Sequence, residues 1–256
     1  MQSGNKTQWL TLVWLLIKRD LTIRYRGSVL GYLWSMLNPL LTMAVMTMVF
    51  SYAMRVQMEH YPIYILSGLL CWNMFAQSTN QGVNAIVSNA SLLKKVNVPS
   101  WVFPTAVIGS AMVHSCFAFV PYGIIALVTG FKFRLGLIQL PFVLIFFFIF
   151  IEGIVLTLSA LNVFFRDVAH VLEPVLQLGF YGSPVLYSIE SLPERFRFVV
   201  NLNPITHFLD GFRSALYMSP LLTPVDWAQM LLIASISIAV GAAIFGKSRH
   251  RFLYYI

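Results

Sequence analysis

Apolar and polar positions along this chain fall into long greasy runs separated by short polar breaks. From Val29 to Met54 no residue carries a formal charge, and a helix needs about 20 predominantly apolar residues to cross the hydrocarbon core of a bilayer. Runs of comparable character follow, and the pattern predicts six spans at about 31–54, 61–87, 101–129, 137–165, 168–187 and 226–245. Before the first of them, residues 8–28 read as an amphipathic helix. Gln8, Thr11, Lys18, Arg19, Thr22 and Arg26 share one side, and Trp9, Leu10, Val13, Leu16, Ile17 and Leu21 fall mostly on the other. Asp20 and Arg24 interrupt the apolar side. A basic helix with tryptophans reads as lying in the headgroup plane, the alternative being a solvated N-terminal helix.

Between the fifth and sixth runs, residues 188–224 mix charges with apolar pieces too short to span. Broken by proline, these pieces predict helices that dip into the interface and return. Inside the spans, Asn38-Pro39 predicts a kink in the first. The second carries Asn73, Gln77, Ser78, Thr79, Asn80, Gln81 and Asn84 along its later half. So many amides are costly toward lipid and are expected to face other helices or a wet cavity.

Composition strengthens the membrane reading. Apolar residues make up 58% of the 256, charged residues 10%, and mean hydropathy is +0.76, where soluble proteins average about 25% charged. No interruption is long enough for an independent soluble core, so the expectation is an all-α integral membrane protein with one transmembrane domain over residues 1–256. Residues 1–7 are polar, without the apolar stretch of a removable secretory signal. Cys71 and Cys116 both lie in apolar runs and imply packing, not a disulfide framework.

The net charge of +8 is unevenly placed. With six spans, one side would hold Lys6, Lys18, Arg19, Arg24, Arg26, Lys94, Lys95, Arg166, Lys247, Arg249 and Arg251. The other would hold Arg55, Lys132, Arg134, Arg195, Arg197 and Arg213. Cationic loops stay in the cytoplasm, so both termini and the Lys94 loop are expected there, facing anionic lipid or an acidic cytosolic partner. No nucleic-acid motif accompanies the charge.

Residues 241–248, GAAIFGKS, match the phosphate-loop pattern letter for letter. That loop requires a preceding strand and a following helix inside an α/β domain, whereas these residues close a membrane helix. The chain therefore has no credible ATPase machinery of its own. Glu152 is the costliest residue, at about 2.5–3.5 kcal/mol for an acidic or basic side chain at the centre of a span. It reads either as a polar point in a substrate path or proton-coupling step, or as a hydrogen-bonded structural carboxyl. His114 is a weaker instance of the same choice. No His, Cys, Asp and Glu cluster has metal-ligand spacing, and no nucleophile sits beside a base.

Four blocks together carry a family resemblance: LTIRYRGSVLGYLWSMLNPLL; YILSGLLCWNMFAQS through NASLLKKVNVPSWVFP; SALNVFFRDVAHVLEPVLQ followed by GSPVLY; and VVNLNPITHFLDGFRSALY. In this order they resemble the membrane subunit of ATP-binding-cassette exporters of bacterial surface polysaccharides, the O-antigen, capsule and teichoic-acid permeases. The resemblance implies a homodimer in the bacterial inner membrane, with two separate cytosolic ATPase subunits that hold the ATP and magnesium; no cofactor is expected in this chain. Its substrate would be a polysaccharide on a polyprenyl diphosphate lipid.

The ATPase contact would be the first cytoplasmic loop, here Leu92, Leu93, Lys94, Lys95, Val96 and Asn97, with Arg166 and Asp167 in the second. Residues 188–217 would form the outer re-entrant pair. Candidates for the substrate path are Tyr32, Trp34, Asn38, Gln177, Phe180 and Tyr181, with Glu152 added on the physical argument above. Arg24 and Arg26 are candidates for the diphosphate or for plain headgroup anchoring. A permease for a drug or another lipid is the nearest rival. An ion-coupled carrier would need matching inverted halves, and a membrane transferase would need a clustered acid or nucleophile; neither is visible.

Overall fold

A computed structural model describes residues 6–31, 33–50, 58–131 and 135–256, and among these there are helices and no strand. Twelve α-helices follow in order: α1 (Lys6–Tyr25), α2 (Leu33–Met48), α3 (Tyr61–Gly82), α4 (Ala90–Lys95), α5 (Val102–Cys116), α6 (Phe119–Val128), α7 (Leu140–Phe164), α8 (Asp167–Gly182), α9 (Glu194–Asn201), α10 (Pro204–Leu216), α11 (Pro224–Ser248) and α12 (Phe252–Tyr255). Among the described residues, three stretches are long and apolar enough to cross a membrane: Val102–Val128, Leu135–Phe164 and Pro224–Tyr255. α2 is apolar but shorter. Tyr32, Arg55, Lys132 and Arg134 lie outside the described residues.

Several helix ends follow from local chemistry. α1 stops at Tyr25, with Gly27 and Gly31 at positive φ (76° and 48°) turning the chain into α2, a conformation glycine adopts without strain. The run predicted at 101–129 is two helices, not one. Pro121 lacks the N–H that would bond the carbonyl of Phe117, and its ring crowds that carbonyl; α5 accordingly ends at Cys116 and α6 begins at Phe119. The predicted span at 61–87 also ends early, at Gly82. There Asn162 of α7 donates to the Val83 carbonyl (3.0 Å) and to the Asn84 side chain (3.1 Å), fixing the bend. Thr223 and Asp226 form a reciprocal capping box that starts α11.

Two apolar clusters hold the helices together. One joins α3, α7 and α10, where Phe147, Phe208 and Phe212 are fully buried and Phe150 stacks on Phe208 at 4.9 Å. The other joins α1, α5, the end of α7, α11 and α12 through Val13, Leu16, Ile17, Phe103, Phe245 and Phe252. α7 and α11 run closest. A Cβ on Gly153 would strike the α11 backbone at Ser237, and one on Gly241 would strike Gly153. Small residues permit such approach where lipid provides no hydrophobic drive between helices. Gly241 is the first glycine of the phosphate-loop match, so its role here is helix packing. α11 runs unbroken through the match to Ser248, leaving no loop to cradle a phosphate.

Of α1, the Val13, Leu16 and Ile17 side chains turn inward, with Ile17 set against Gly109 of α5, while Leu10, Trp14, Leu15 and Ile23 remain exposed. Residues 183–187 after α8 are held by side chains of α3, α10 and Asn203. Tyr61 donates to the Leu186 carbonyl (2.8 Å), Tyr64 to that of Tyr187 (2.7 Å), and Asn203 to the Ser183 hydroxyl (2.9 Å). Arg213 of α10 donates to the carbonyls of Pro184 and Val185.

Candidate polar path and cytosolic face

Between α2, α3 and α5 lies a cleft of about 360 Å³ whose lining mixes amide, hydroxyl and imidazole side chains with apolar ones such as Leu70 and Ala118. α2 contributes Ser35, Asn38 and Thr42, spaced so that they share one helix face. α3 contributes Asn73, Gln77 and Asn80 in the same register, and α5 adds His114 and Ser115. Pro39, also in the lining, breaks the hydrogen-bond ladder of α2 at this level. Asn38, Asn73 and Asn80 are exposed to the cleft, and among the described residues their amides make no hydrogen bond to protein. Left against hydrocarbon, each unsatisfied group would cost several kcal/mol. The arrangement is chemically suited to water or to a ligand rich in hydroxyls.

The end of α1 closes one side of this cleft. With its amide oxygen turned toward Arg24, Gln77 accepts from the Arg24 guanidinium (3.1 Å to Nη2). The Tyr25 hydroxyl and His114 Nδ1 are hydrogen-bonded at 3.3 Å. Farther back along α1, Arg19 reaches the Asn89 side chain (3.1 Å) just before α4.

A family model described as ABC-2 type transporter matches residues 11–217. The chain belongs to that family. Among curated relatives of this ABC-2 transporter, an O-antigen export system permease protein of Klebsiella pneumoniae is 33% identical over 244 residues, covering 94% of this chain and 93% of the relative. Another of the same description from Myxococcus xanthus is 29% identical over 250 residues, covering 96% and 95%. A polysialic acid transport protein of Escherichia coli is 23% identical over 250 residues, covering 95% of each chain.

Sequence-derived site residues of the ABC-2 transporter fall into separate places. Asn38 is in the cleft, and Trp34, one turn before it, is exposed on α2. Gln177 and Tyr181 are exposed on α8, while Phe180 is half-buried against Trp72 of α3, ring centroids 5.6 Å apart. Glu152 joins neither group. It is 8% exposed on α7, where the Thr105 hydroxyl of α5 donates to its Oε1 at 2.7 Å and its Oε2 has no partner. Arg24 and Arg26 flank the turn from α1 to α2 and are both exposed.

On the other candidate surface, Leu92, Lys94, Lys95, Val96 and Asn97 are exposed on and just after α4, and Leu93 packs inward against the second apolar cluster. Arg166 and Asp167 are exposed at the start of α8, where Asp167 suits the positive end of the helix dipole. Among the described residues no three of His, Cys, Asp and Glu gather as metal ligands would.

Two features escaped the sequence reading. Arg213, counted there among loop cations, is 4% exposed and lies over the Tyr64 ring at 3.9 Å. Its signal was available: it stands four residues after Leu209 on the apolar face of α10. The contact between α1 and the cleft had none, because Arg24 and Gln77 are joined only by the fold.

Proposed function

We propose that this chain is the transmembrane subunit of an ATP-driven exporter that moves a polyprenyl-diphosphate-linked polysaccharide, O-antigen above all, from the cytoplasmic to the outer side of the bacterial inner membrane. The observation that carries the proposal is the amide-lined cleft. An apolar bundle that leaves three unpartnered amides on one concave face offers hydroxyl-rich cargo weak contacts at several points, as a sliding glycan requires. Family membership and the O-antigen and polysialic acid transport of the relatives support the same substrate class.

In this reading the working unit is a homodimer with two cassette ATPase subunits beneath it. Each chain spans six times through α2, α3, α5 with α6, α7, α8 and α11, with both ends in the cytoplasm. α1 is the interfacial helix, and α9 with α10 forms the outer re-entrant pair. The exposed faces of α2 and α8, with Trp34, Gln177 and Tyr181, line the passage at the dimer axis. α4 with Val96 and Asn97 meets the ATPase, assisted by Arg166 and Asp167, and Arg24 and Arg26 meet the diphosphate. Hydrolysis, with its ATP and magnesium, belongs to the partner.

The test is complementation. A strain that makes O-antigen but lacks its export permease is given this chain together with its cassette ATPase, and surface glycan is measured. Restored display is expected. The Asn73→Leu, Asn80→Leu double variant should insert normally yet export about tenfold less, equivalent to ~1.4 kcal/mol of lost interaction. Absence of glycan export alongside efflux of a drug or a simple lipid would favour the rival permease class.

A further inference from the structure

The last turns of the chain carry chemistry that the transport path leaves unused. After α11 the helix tightens into a short 3₁₀ turn at Arg249–Arg251 and continues as α12, all in right-handed helical geometry, and Phe252, wholly buried, packs on Phe245 (5.2 Å) and Phe164 (6.1 Å). Tyr255 sets its edge on Phe164 at 4.9 Å, and the Ile256 carbonyl accepts from Lys94 Nζ of α4. The helix proposed to meet the ATPase and the chain's last turn, 162 residues apart, are thereby one continuous surface.

Beside this join is a cavity of about 510 Å³ with an aromatic floor of Phe164, Phe165 and Tyr255 and a rim of Lys247, Ser248 and Arg251. Tyr254 is 87% exposed and Leu253 55%. Across residues 90–97, 165–167 and 247–256 the cationic side chains are Lys94, Lys95, Arg166, Lys247, Arg249 and Arg251, and Asp167 is the one acidic side chain.

We infer that this surface is a second docking foot for the cassette ATPase, in which the cavity receives an apolar side chain flanked by carboxylates. The inference rests on the function proposed above and extends its partner contact from α4 to α12. Exposed aromatics among arginines are the composition of interface centres, and the rim calls for an acidic partner. An anionic lipid would satisfy these cations and rings as well; what favours the ATPase is that the surface is continuous with α4 through the contact of Lys94 with Ile256.

The test uses the full chain, affinity-tagged and co-expressed with the cassette ATPase that supports its export. Tyr254→Glu, and separately Lys247→Glu with Arg251→Glu, alter exposed side chains; size-exclusion profile and melting temperature should match the unaltered chain. ATPase retained on the tagged chain should fall about tenfold or more in each variant, the loss typical of a central interface residue. Full retention of the ATPase overturns the inference, whether or not binding of spin-labelled phosphatidylglycerol falls. If only lipid binding falls, the surface faces the membrane. If the unaltered chain holds no cassette ATPase at all, the functional reading fails and the foot with it. Loss in the α4 variant Lys94→Glu, Lys95→Glu but not in the α12 variants removes the foot alone.

Discussion

At Glu152 the two readings open from sequence now have geometry to separate them. The carboxyl does not line the amide cleft and receives the Thr105 hydroxyl from the neighbouring helix, an arrangement that joins α5 to α7. Glutamine keeps an acceptor oxygen at the same place, so Glu152→Gln should export at the normal rate across pH 6–8. Glu152→Leu removes the acceptor that ties α5 to α7 and leaves the half-buried Thr105 hydroxyl only the Trp101 carbonyl of its own helix (3.0 Å), a loss of about 0.5–1.5 kcal/mol that should lower the melting temperature in detergent. A pH-dependent loss of transport in the glutamine variant would instead establish proton coupling. Arg213 invites a parallel test. Its guanidinium holds two carbonyls of residues 183–187, which have no helical partners. Arg213→Leu should therefore speed amide exchange across 183–187 while leaving α11 unchanged; equal protection in both proteins would show that Tyr61 and Tyr64 suffice.

Among the elements, apolar run length foretold where helices would form but not how they would be divided. The run at 137–165 became α7 from Leu140 onward, since its one proline, Pro141, sits in the first helical turn where no N–H is needed and no glycine pair follows to break the ladder. The run at 101–129 split, and Pro121 was the legible sign. The bend after Gly82 was not legible, because what fixes it is Asn162, some eighty residues away. Likewise the amides of α3 announced a wet or helix-facing stripe, while the partner that completes the cleft, α2, could be assigned only once the helices were packed. The α7–α11 crossing depends on two glycines that look incidental in the sequence. Gly153→Leu should force these helices apart, an overpacking penalty of about 1–3 kcal/mol, read as a lower melting temperature. Gly246→Leu on the same α11 helix meets open space and should leave melting unchanged.

For the molecule as a whole, the two candidate regions are linked by α1. Its end touches the amide cleft through Arg24 and Tyr25, its middle reaches Asn89 through Arg19, and α4 follows directly after Asn89. α4 thus has a contiguous route of hydrogen-bonded and packed groups to the polar path, along which coupling is carried if α1 has two arrangements that both sites bias. Lys94 and Lys95 stand at the far end of that route, both exposed, Lys94 reaching Ile256, with Leu93 anchored beneath them. Replacing both by glutamate reverses the charge presented to an acidic partner without disturbing Leu93, so folding and membrane insertion should survive. In reconstituted vesicles the double variant should retain ATP hydrolysis by the bound partner, or lose the partner, while glycan export falls at least about tenfold, ~1.4 kcal/mol. Undiminished export per ATP hydrolysed would mean that force enters elsewhere, and the contact at α4 would have to be abandoned.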